Sequence, residues 1–373
     1  MLSAFGPLTM PDPDLHVPAT LAASGVETRT RMAVDGAGNT VRILDVVLPR
    51  ALTAGYDNRT VTDILASGPA AIEADGPDAD AMLVPTRANQ YPPLAYLPAG
   101  LAARTMRLAG RGWHAQLQAG RVMNLACTLL SGLFAIRLAG GRSWAMMLIL
   151  TDPIRLFLAA SLNADWMIGA LAALMAALAL RPESKACRIG FIAGCLPLAA
   201  LKLAYLPFAL LPWAAGGRSL RRRLAPPLAS AGLGLLGMLA WMRLAGRTAA
   251  RVNVAANLTH LLAHPAHDLA RTLVSTVDLV WRLPAGGGPI LLPVVIIAAL
   301  LAAHGVDGRR AMWTMGVILL SLMDVNGMLL LTWDDPAQSI GTPLAGFQER
   351  YVTPLLPLAA FAMRDGTHTP SHG

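Results

Sequence analysis

The fold is decided by three apolar segments that follow one another in the chain: RVMNLACTLLSGLFAIRLA (121–139), SWAMMLILTDPIRLFLAAS (143–161) and NADWMIGALAALMAALAL (163–180). A helix needs about 20 residues to cross the hydrocarbon core of a bilayer, so segments of this length can span a membrane. Later segments have the same character: 187–215, 224–245, 287–304, 311–332 and 346–363. The sequence therefore predicts an all-α, polytopic integral membrane protein with about eight or nine membrane helices.

The composition agrees with a membrane protein. Of the 373 residues, 55% are hydrophobic and 14% are charged, whereas a soluble domain carries roughly 25% charged residues. The net charge of +8 does not indicate a nucleic-acid partner, because arginine and lysine set the orientation of membrane proteins and the chain has no nucleic-acid motif. Cys127, Cys187 and Cys195 fit no zinc or disulfide spacing, so we expect them to be packing residues.

Four basic loops, at 137–142, 181–188, 218–223 and 309–310, predict how the chain is arranged across the membrane, because short cytoplasmic loops are enriched in lysine and arginine. We place these loops on the cytoplasmic side of the inner membrane. The chain then divides into a periplasmic first loop with interfacial helices (1–120), a transmembrane domain (121–363) that contains an outer loop (246–286), and a cytoplasmic tail (364–373).

Segment 187–215 has a basic loop at each end, so a single crossing would leave one of these loops outside. Pro197, Lys202 and Pro207 interrupt the segment. We expect a hairpin of two short helices with Lys202 at its outer apex, where a lysine can reach the interface or meet an anion.

A group of acids near the beginning of the chain is the first candidate for chemistry. Asp12 and Asp14 lie in Pro11-Asp12-Pro13-Asp14-Leu15-His16, so two carboxylates and the imidazole of His16 are close in sequence. A carboxylate there could act as a general base towards a hydroxyl. The alternative is an ordinary proline-rich turn with solvated acids.

Two further motifs begin predicted helices. Tyr91 lies in a Tyr-Pro-Pro-Leu sequence, which suits either a substrate contact or an interfacial anchor. Asn163 and Asp165 stand at the start of the helix predicted at 163–180. They are candidates for substrate binding, although Asn163 also suits a helix cap and Asp165 also suits the positive end of the helix dipole.

The last motif is Gly346-Phe347-Gln348-Glu349-Arg350-Tyr351, at the outer end of a predicted membrane helix. Arg350 lies opposite Lys202 in the predicted topology, and an arginine can hold a lipid phosphate through two hydrogen bonds. Gln348 and Tyr351 accompany it as candidate binding residues. The alternative is that Arg350 only extends its side chain to the membrane–water interface and binds no substrate.

Two polar groups favour structural roles. Asp152 and Arg155 are three residues apart beside Pro153, so they can pair on one helix face. Another group has the helical spacing of a metal cluster, but a proline interrupts it and no other ligands converge on it, so a solvated helix is favoured. Its members are His260, His264, His267 and Asp268.

In this order, the motifs resemble a bacterial membrane family, number 2142 in the domain-of-unknown-function series. That family has Pro-Asp-Glu followed by His, then Tyr-Pro-Pro-Leu with a second Tyr, Asn-x-Asp at a helix start, Lys-x-x-Tyr, and a late Gln-Gly-Arg-Tyr. The resemblance covers most of the chain from about residue 10. The matching residues here are Pro11, Asp12 and His16; Tyr91 and Tyr96; Asn163 and Asp165; Lys202 and Tyr205; and Gln348, Arg350 and Tyr351.

The architecture of that family looks like the GT-C fold of membrane glycosyltransferases that use polyprenyl-phosphate sugars. The resemblance implies that Asp12 or Asp14 takes a proton from an acceptor hydroxyl, while Lys202 and Arg350 hold the donor phosphate. It implies as partners a membrane lipid, a polyprenyl-phosphate sugar and an envelope glycan or lipid acceptor. The alternatives are a non-enzymatic carrier or scramblase, or an assembly protein, for lipid-linked glycans.

The chain departs from the family pattern at three points. Pro13 replaces the usual Glu after Asp12, which removes one acid of a metal-binding pair unless Asp14 takes its place, so we expect no cofactor. Glu349 replaces the glycine before Arg350. The resemblance also implies a membrane helix before the first outer loop, and we expect either that the sequence begins after that helix or that the protein is truncated and inactive.

Overall fold

The computed structural model describes residues 7–34, 40–58, 81–86, 91–215, 220–244, 253–285 and 291–364. These residues are mostly helical. The α-helices are α1 (Pro13–Ala23), α2 (Arg50–Ala54), α3 (Leu97–Leu108), α4 (Trp113–Ala139), α5 (Ser143–Leu150), α6 (Pro153–Ala159), α7 (Asp165–Ala179), α8 (Lys185–Leu201), α9 (Leu220–Leu244), α10 (Val254–Ala263), α11 (Pro265–Ala285), α12 (Leu291–His304), α13 (Gly308–Thr332) and α14 (Leu358–Ala362). Short 3-10 helices lie at Pro93–Ala95, Gly140–Arg142, Leu203–Ala215, Glu349–Tyr351 and Thr353–Leu355.

A small β-sheet in the N-terminal region corrects the all-α prediction. Strands β1 (Thr28–Val34), β2 (Thr40–Pro49) and β3 (Ala81–Pro85) form an antiparallel sheet with β2 in the middle. The local sequence hid this sheet for two reasons. Most of β1 is exposed on both faces, so it lacks the alternation of a half-buried strand, and β3 is separated from β2 by residues 50–80.

The sheet and α1 pack together against the beginning of α4. Val46 and Leu48 of β2 lie in one apolar cluster with Val17 and Leu21 of α1 and Leu117 of α4. All five side chains are at most 1% exposed. This cluster is distinct from the main core and fixes the N-terminal end of α1 beside the long helices.

The segment 143–161 is two helices rather than one, because Pro153 cannot continue α5. Asp152 begins α6, and its carboxylate accepts a hydrogen bond from the backbone amide of Arg155 at 3.1 Å. The guanidinium of Arg155 donates to the carbonyl of Gly169 at 2.6 Å. The predicted ion pair is therefore wrong: Asp152 caps a helix, and Arg155 joins α6 to α7.

Helix α7 lies at the centre of the main core. Its sequence is rich in alanine and leucine, which favour helix and lose little side-chain entropy. Ile168, Ala172 and Ala176 are fully buried and pack against residues of α8 and of the 3-10 helix at 203–215. The N-terminal end of α7 carries Asn163 and Asp165, so the core holds these two residues in place.

The expected break at Lys202 is confirmed. Helix α8 ends at Leu201, and Lys202 is extended, with φ −157° and ψ 109°. A 3-10 helix follows at Leu203–Ala215 and contains Pro207 and Pro212, which remove backbone donors that an α-helix would need. That this apex lies outside the membrane stays a prediction.

The sequence predicts that the segment 346–363 is one membrane helix, and the structure shows that this prediction is wrong. The segment consists of two 3-10 turns and α14. Pro354 and Pro357 interrupt the hydrogen-bond pattern of a continuous helix, although most of the residues from Thr353 to Met363 are buried. A membrane protein can bury such irregular backbone among helices.

Among the described residues, three segments are long and apolar enough to cross a membrane: Trp113–Leu150, Arg223–Arg243 and Gly308–Thr332. Shorter apolar helices include α7 and part of α12. The structure therefore supports a membrane protein, and the number of eight or nine spans stays a prediction. The expected outer loop at 246–286 contains α10 and α11, while residues 245–252 and the tail after Arg364 lie outside the described residues.

Candidate functional site

Residues from five distant parts of the chain meet at the N-terminal end of α7. They come from the start of α1, the turn at Tyr91, the start of α7, the break at Lys202 and the 3-10 turn at 349–351. The residues that meet there are Asp12, His16, Tyr91, Asp165, Lys202, Arg350 and Tyr351. We call this group the charged cluster.

Arg350 is the centre of the charged cluster. Its side chain is 9% exposed, and its Nη2 donates to Asp12 Oδ2 at 2.5 Å. Its Nη1 lies 3.4 Å from Asp165 Oδ2. Among the described residues, however, neither Nη1 nor Nε of Arg350 has a hydrogen-bond acceptor. A buried guanidinium with two unsatisfied nitrogens is costly, so the arrangement is suited to an added anion.

Lys202 is the second cation of the cluster. Its Nζ lies 3.6 Å from Asp165 Oδ1 and 3.9 Å from the centre of the Tyr351 ring. The Tyr205 hydroxyl donates to the backbone carbonyl of Tyr351 at 2.9 Å and so helps to fix this ring. Two cations therefore share Asp165, and Asp12 completes a neutral set of charges.

His16 is buried beside these charges and is neutral. Its Nδ1 lies 2.8 Å from the Tyr96 hydroxyl, and its ring centre is 6.0 Å from that of Tyr91. Burial, followed by the nearby Arg350 guanidinium, lowers the pKa of His16 from 6.5 to about 4. Burial also raises the pKa of Tyr91. Both rings are therefore uncharged at neutral pH and can exchange hydrogen bonds with polar groups of a ligand.

Asp12 is held in an unusual backbone conformation. Its φ of 52° and ψ of 54° lie in the left-handed region, and no other described residue except glycine has a positive φ. The Asp12 amide donates to Asn58 Oδ1 at 3.0 Å. Strained backbone of this kind is concentrated at functional sites, where surrounding structure enforces it. Here it lets α1 begin while the Asp12 carboxylate meets Arg350.

Asn163 supports the cluster without joining it. Its Oδ1 accepts hydrogen bonds from the backbone amides of Asp165 at 2.8 Å and Trp166 at 3.2 Å, and its Nδ2 contacts Ser161 Oγ. The predicted capping function is confirmed. Because Asn163 is fully buried, it fixes the start of α7 and hence the position of Asp165.

Two predicted site residues lie apart from the cluster. Asp14 is exposed on α1, and its charge acts on Tyr56 rather than on Arg350. Gln348 is exposed, and its backbone carbonyl accepts from the amide of Tyr351 at 2.9 Å. Their assignments to catalysis and substrate binding stay predictions.

The histidine group on α10 and α11 surrounds one carboxylate. Asp268 is buried, and its two oxygens lie 3.1 Å from His260 Nδ1 and 3.0 Å from His267 Nδ1. Among the described residues, no group of three His, Cys, Asp or Glu side chains is placed to hold a metal ion. The contact between His260 of α10 and Asp268 of α11 links the two helices to each other.

Sequence reasoning missed a buried ion pair outside the charged cluster. Arg271 of α11 is fully buried, and its Nη2 donates to Asp334 Oδ2 at 2.9 Å. A signal was present, since α11 is strongly amphipathic and Arg271 shares a helix face with Asp268 and Ser275. The partner could not be found, because Asp334 lies 63 residues away.

Comparison with known proteins identifies a family but no characterised relative. A family model described as "Predicted membrane protein (DUF2142)" matches residues 74–359. No curated protein and no solved structure matches the chain. The matched range includes Asp165, Lys202 and Arg350 but not Asp12.

Proposed function

The chain belongs to the DUF2142 family of predicted membrane proteins, and we propose that it is a membrane glycosyltransferase of GT-C type. In this proposal it transfers a sugar from a polyprenyl-phosphate donor to an envelope glycan or lipid acceptor at the periplasmic face of the inner membrane. The observation that carries the proposal is the contact of Asp12 with the buried Arg350. Glycosyl transfer needs a base for the acceptor and a cation for the phosphate in one place.

The donor phosphate binds between Arg350 and Lys202. Arg350 supplies the edge formed by Nε, which has no acceptor among the described residues, and Nη2, which contacts Asp12, and these two donors match two phosphate oxygens. Lys202 is held over Tyr351 and beside Asp165, which also lies beside Arg350, so the two cations flank one carboxylate and both are close enough to contact one phosphate. Asp165 balances both cations in the absence of donor and keeps them in place.

Asp12 is the general base, and binding of the donor releases its carboxylate from Arg350. Before donor binds, the Asp12 carboxylate is engaged with Arg350. A phosphate that binds to Arg350 competes for the same guanidinium and weakens this contact. Since Asp12 is also the more exposed partner, at 27% against 9% for Arg350, it is the residue that can turn towards an acceptor. Donor binding therefore comes before acceptor activation.

The transfer itself is a single displacement. Asp12 accepts the proton of the acceptor hydroxyl, and the acceptor oxygen forms a bond to the anomeric carbon. The bond from that carbon to the phosphate oxygen breaks, and its electron pair leaves with the polyprenyl phosphate, which Arg350 and Lys202 stabilise. The anomeric configuration inverts. The neutral His16 hydrogen-bonds to the bound sugar.

The change Asp12→Asn tests the base. It preserves the size of the side chain and most hydrogen bonds but cannot accept a proton, and a general base contributes about 10²–10⁴-fold in rate. We expect sugar transfer in membranes supplied with a polyprenyl-phosphate donor to fall by this factor, while donor binding survives. Asp14→Asn shows whether the neighbouring acid shares the role.

The matched control is Glu27→Gln, which removes an exposed carboxylate from the same N-terminal region. It should leave transfer unchanged. The measurement requires that residue 12 is first located on the periplasmic side by labelling of a cysteine placed there. Full glycan modification by Asp12→Asn, by Asp14→Asn and by the double variant would remove carboxylate chemistry from this loop.

The second candidate is a carrier or scramblase for lipid-linked glycans. The engagement of Asp12 with Arg350 favours it, because a carrier needs the cations and a counter-ion that yields to the phosphate, but no base. Lipid transport between leaflets that survives in Asp12→Asn, together with an absence of transfer in wild-type membranes, would select this function.

A further inference from the structure

Arg271 lies outside the charged cluster but holds the segment that leads to it. This arginine of α11 is fully buried. Its Nη2 donates to Asp334 Oδ2 at 2.9 Å and to Gln338 Oε1 at 3.2 Å, while its Nη1 donates to the backbone carbonyl of Asp335 at 2.5 Å. All these acceptors belong to one loop, which follows α13.

Asp334 ties the two ends of this loop together. Its Oδ2, which accepts from Arg271, also accepts from the backbone amide of Ala345 at 3.2 Å. Asn257 of α10 donates to the backbone carbonyl of Asp334 at 3.0 Å. The loop between residues 334 and 345 is therefore closed at one carboxylate, which α11 binds, while α10 binds the backbone carbonyl of the same residue.

The chain leaves the closed loop at a second fixed point. Gly346 has a φ of +86°, and a Cβ atom there would meet the Trp333 ring at 2.6 Å, so only glycine fits. Arg350 follows shortly afterwards in the 3-10 turn at Glu349–Tyr351. The position of Arg350 in the charged cluster is thus set by the loop at 334–345, which Arg271 binds.

We propose that Arg271 is a positioning residue for Arg350: through Asp334 it holds the guanidinium of Arg350 where it receives the phosphate of the donor. This inference rests on the proposed function, since it assigns Arg271 to the binding of the same donor. A buried ion pair is weak evidence for stability but can specify one arrangement among several. Here the arrangement specified is that of the segment 346–351.

The test measures binding of farnesyl phosphate, a short polyprenyl monophosphate, to the purified full chain in detergent. Arg271→Gln should weaken binding about tenfold, since coupled residues commonly interact on this scale. Arg271→Lys should restore part of the loss because it retains the charge. In an Arg350→Ala background, Arg271→Gln should have no further effect, since the group that it positions is absent.

The matched control is Asn326→Ala. Asn326 of α13 donates to Thr276 Oγ1 of α11 at 2.8 Å. It therefore joins α11 to α13 but does not contact the loop that follows α13. It should leave the affinity unchanged. Equal losses from Arg271→Gln in the wild-type and Arg350→Ala backgrounds would assign Arg271 to general stability and overturn the proposal.

Two outcomes separate this inference from the proposed function. If Arg350→Ala weakens binding and Arg271→Gln does not, only the positioning function of Arg271 is wrong. If Arg350→Ala leaves binding unchanged, the phosphate clamp fails and the inference fails with it. Should Arg271→Gln not fold, Asp334→Asn tests the same contact from the other partner; loss of fold in both variants would assign the pair to folding and overturn the proposal.

Discussion

At the scale of the residue, burial decides which groups of the site carry charge. Asp165, Lys202 and Arg350 are charged because each has an oppositely charged neighbour at ion-pair distance. His16 lies near both kinds of charge, but in the part of the chain that the structure describes it has no partner at ion-pair distance, and it loses its proton on burial. The neutral histidine therefore leaves the balance between cations and carboxylates undisturbed.

The lowered pKa of His16 predicts that the folded protein loses stability in acid. The pKa of His16 is about 4 in the folded protein and 6.5 in the unfolded one, so the unfolded chain binds more protons between these values. The contribution of neutral His16 to the free energy of unfolding is complete above pH 6.5 and is lost as the pH falls towards 4. At pH 5 the loss reaches about 2 kcal/mol. Thermal unfolding in detergent, followed from pH 7.5 to pH 4.5, measures it.

His16→Gln removes the titrating group and should flatten the pH dependence of the unfolding temperature. The control is His114→Gln, at an exposed position of α4, which should retain the wild-type dependence. An equally steep dependence in wild type and His16→Gln would mean that other groups are responsible.

At the scale of the element, the cap of α7 connects the core to the site. Asn163 satisfies two backbone amides at the start of this helix, and the same turn carries Asp165. Since helix caps contribute about 1 kcal/mol, their loss affects both the helix and the carboxylate that it positions.

We expect Asn163→Ala to lower the free energy of unfolding by about 1 kcal/mol or more, because Asn163 is fully buried and its amide partners lose their acceptor. Asn163→Ser should recover much of this loss, since serine also caps helices. Binding of farnesyl phosphate should weaken in Asn163→Ala and recover in parallel. A serine variant no better than the alanine variant would show that the side chain serves by its volume.

The elements also show what the sequence could predict. The helix start at Asn163 and the break at Lys202 were predictable, because both depend on residues next to them in the chain. The sheet was not predictable, since β2 pairs with β3, and residues 50–80 separate the two strands in the sequence. Pro354 and Pro357 did carry the signal that 346–363 is irregular, but its apolar composition outweighed them.

At the scale of the whole molecule, the cluster depends on contacts that no local pattern contains. Asp12 and Arg350 are 338 residues apart, and their meeting could not be inferred from spacing. The motif order of the family did select most residues that meet. Gln348, chosen in the same way, and Asp14, chosen from the acids near the beginning of the chain, lie apart from the others.

The orientation of α13 tests the topology. This helix is long and apolar enough to cross a membrane, so its ends should face opposite sides. In a chain whose three native cysteines are replaced, Gln338→Cys should react with an impermeant reagent from the periplasm. Arg309→Cys should react only after the membrane is opened. Labelling of both from one side would show that α13 does not span the membrane.

The pairing of Asp12 with Arg350 also has a consequence for synthesis. Translation produces the Asp12 carboxylate 338 residues before the Arg350 guanidinium, so the acid stays without this partner while the helices between them are made. A chain cut short before Arg350 carries Asp12 and Asp165 without the guanidinium that contacts both. The site is therefore completed only after Arg350 has been translated, and a fragment that ends before Arg350 lacks the proposed phosphate clamp.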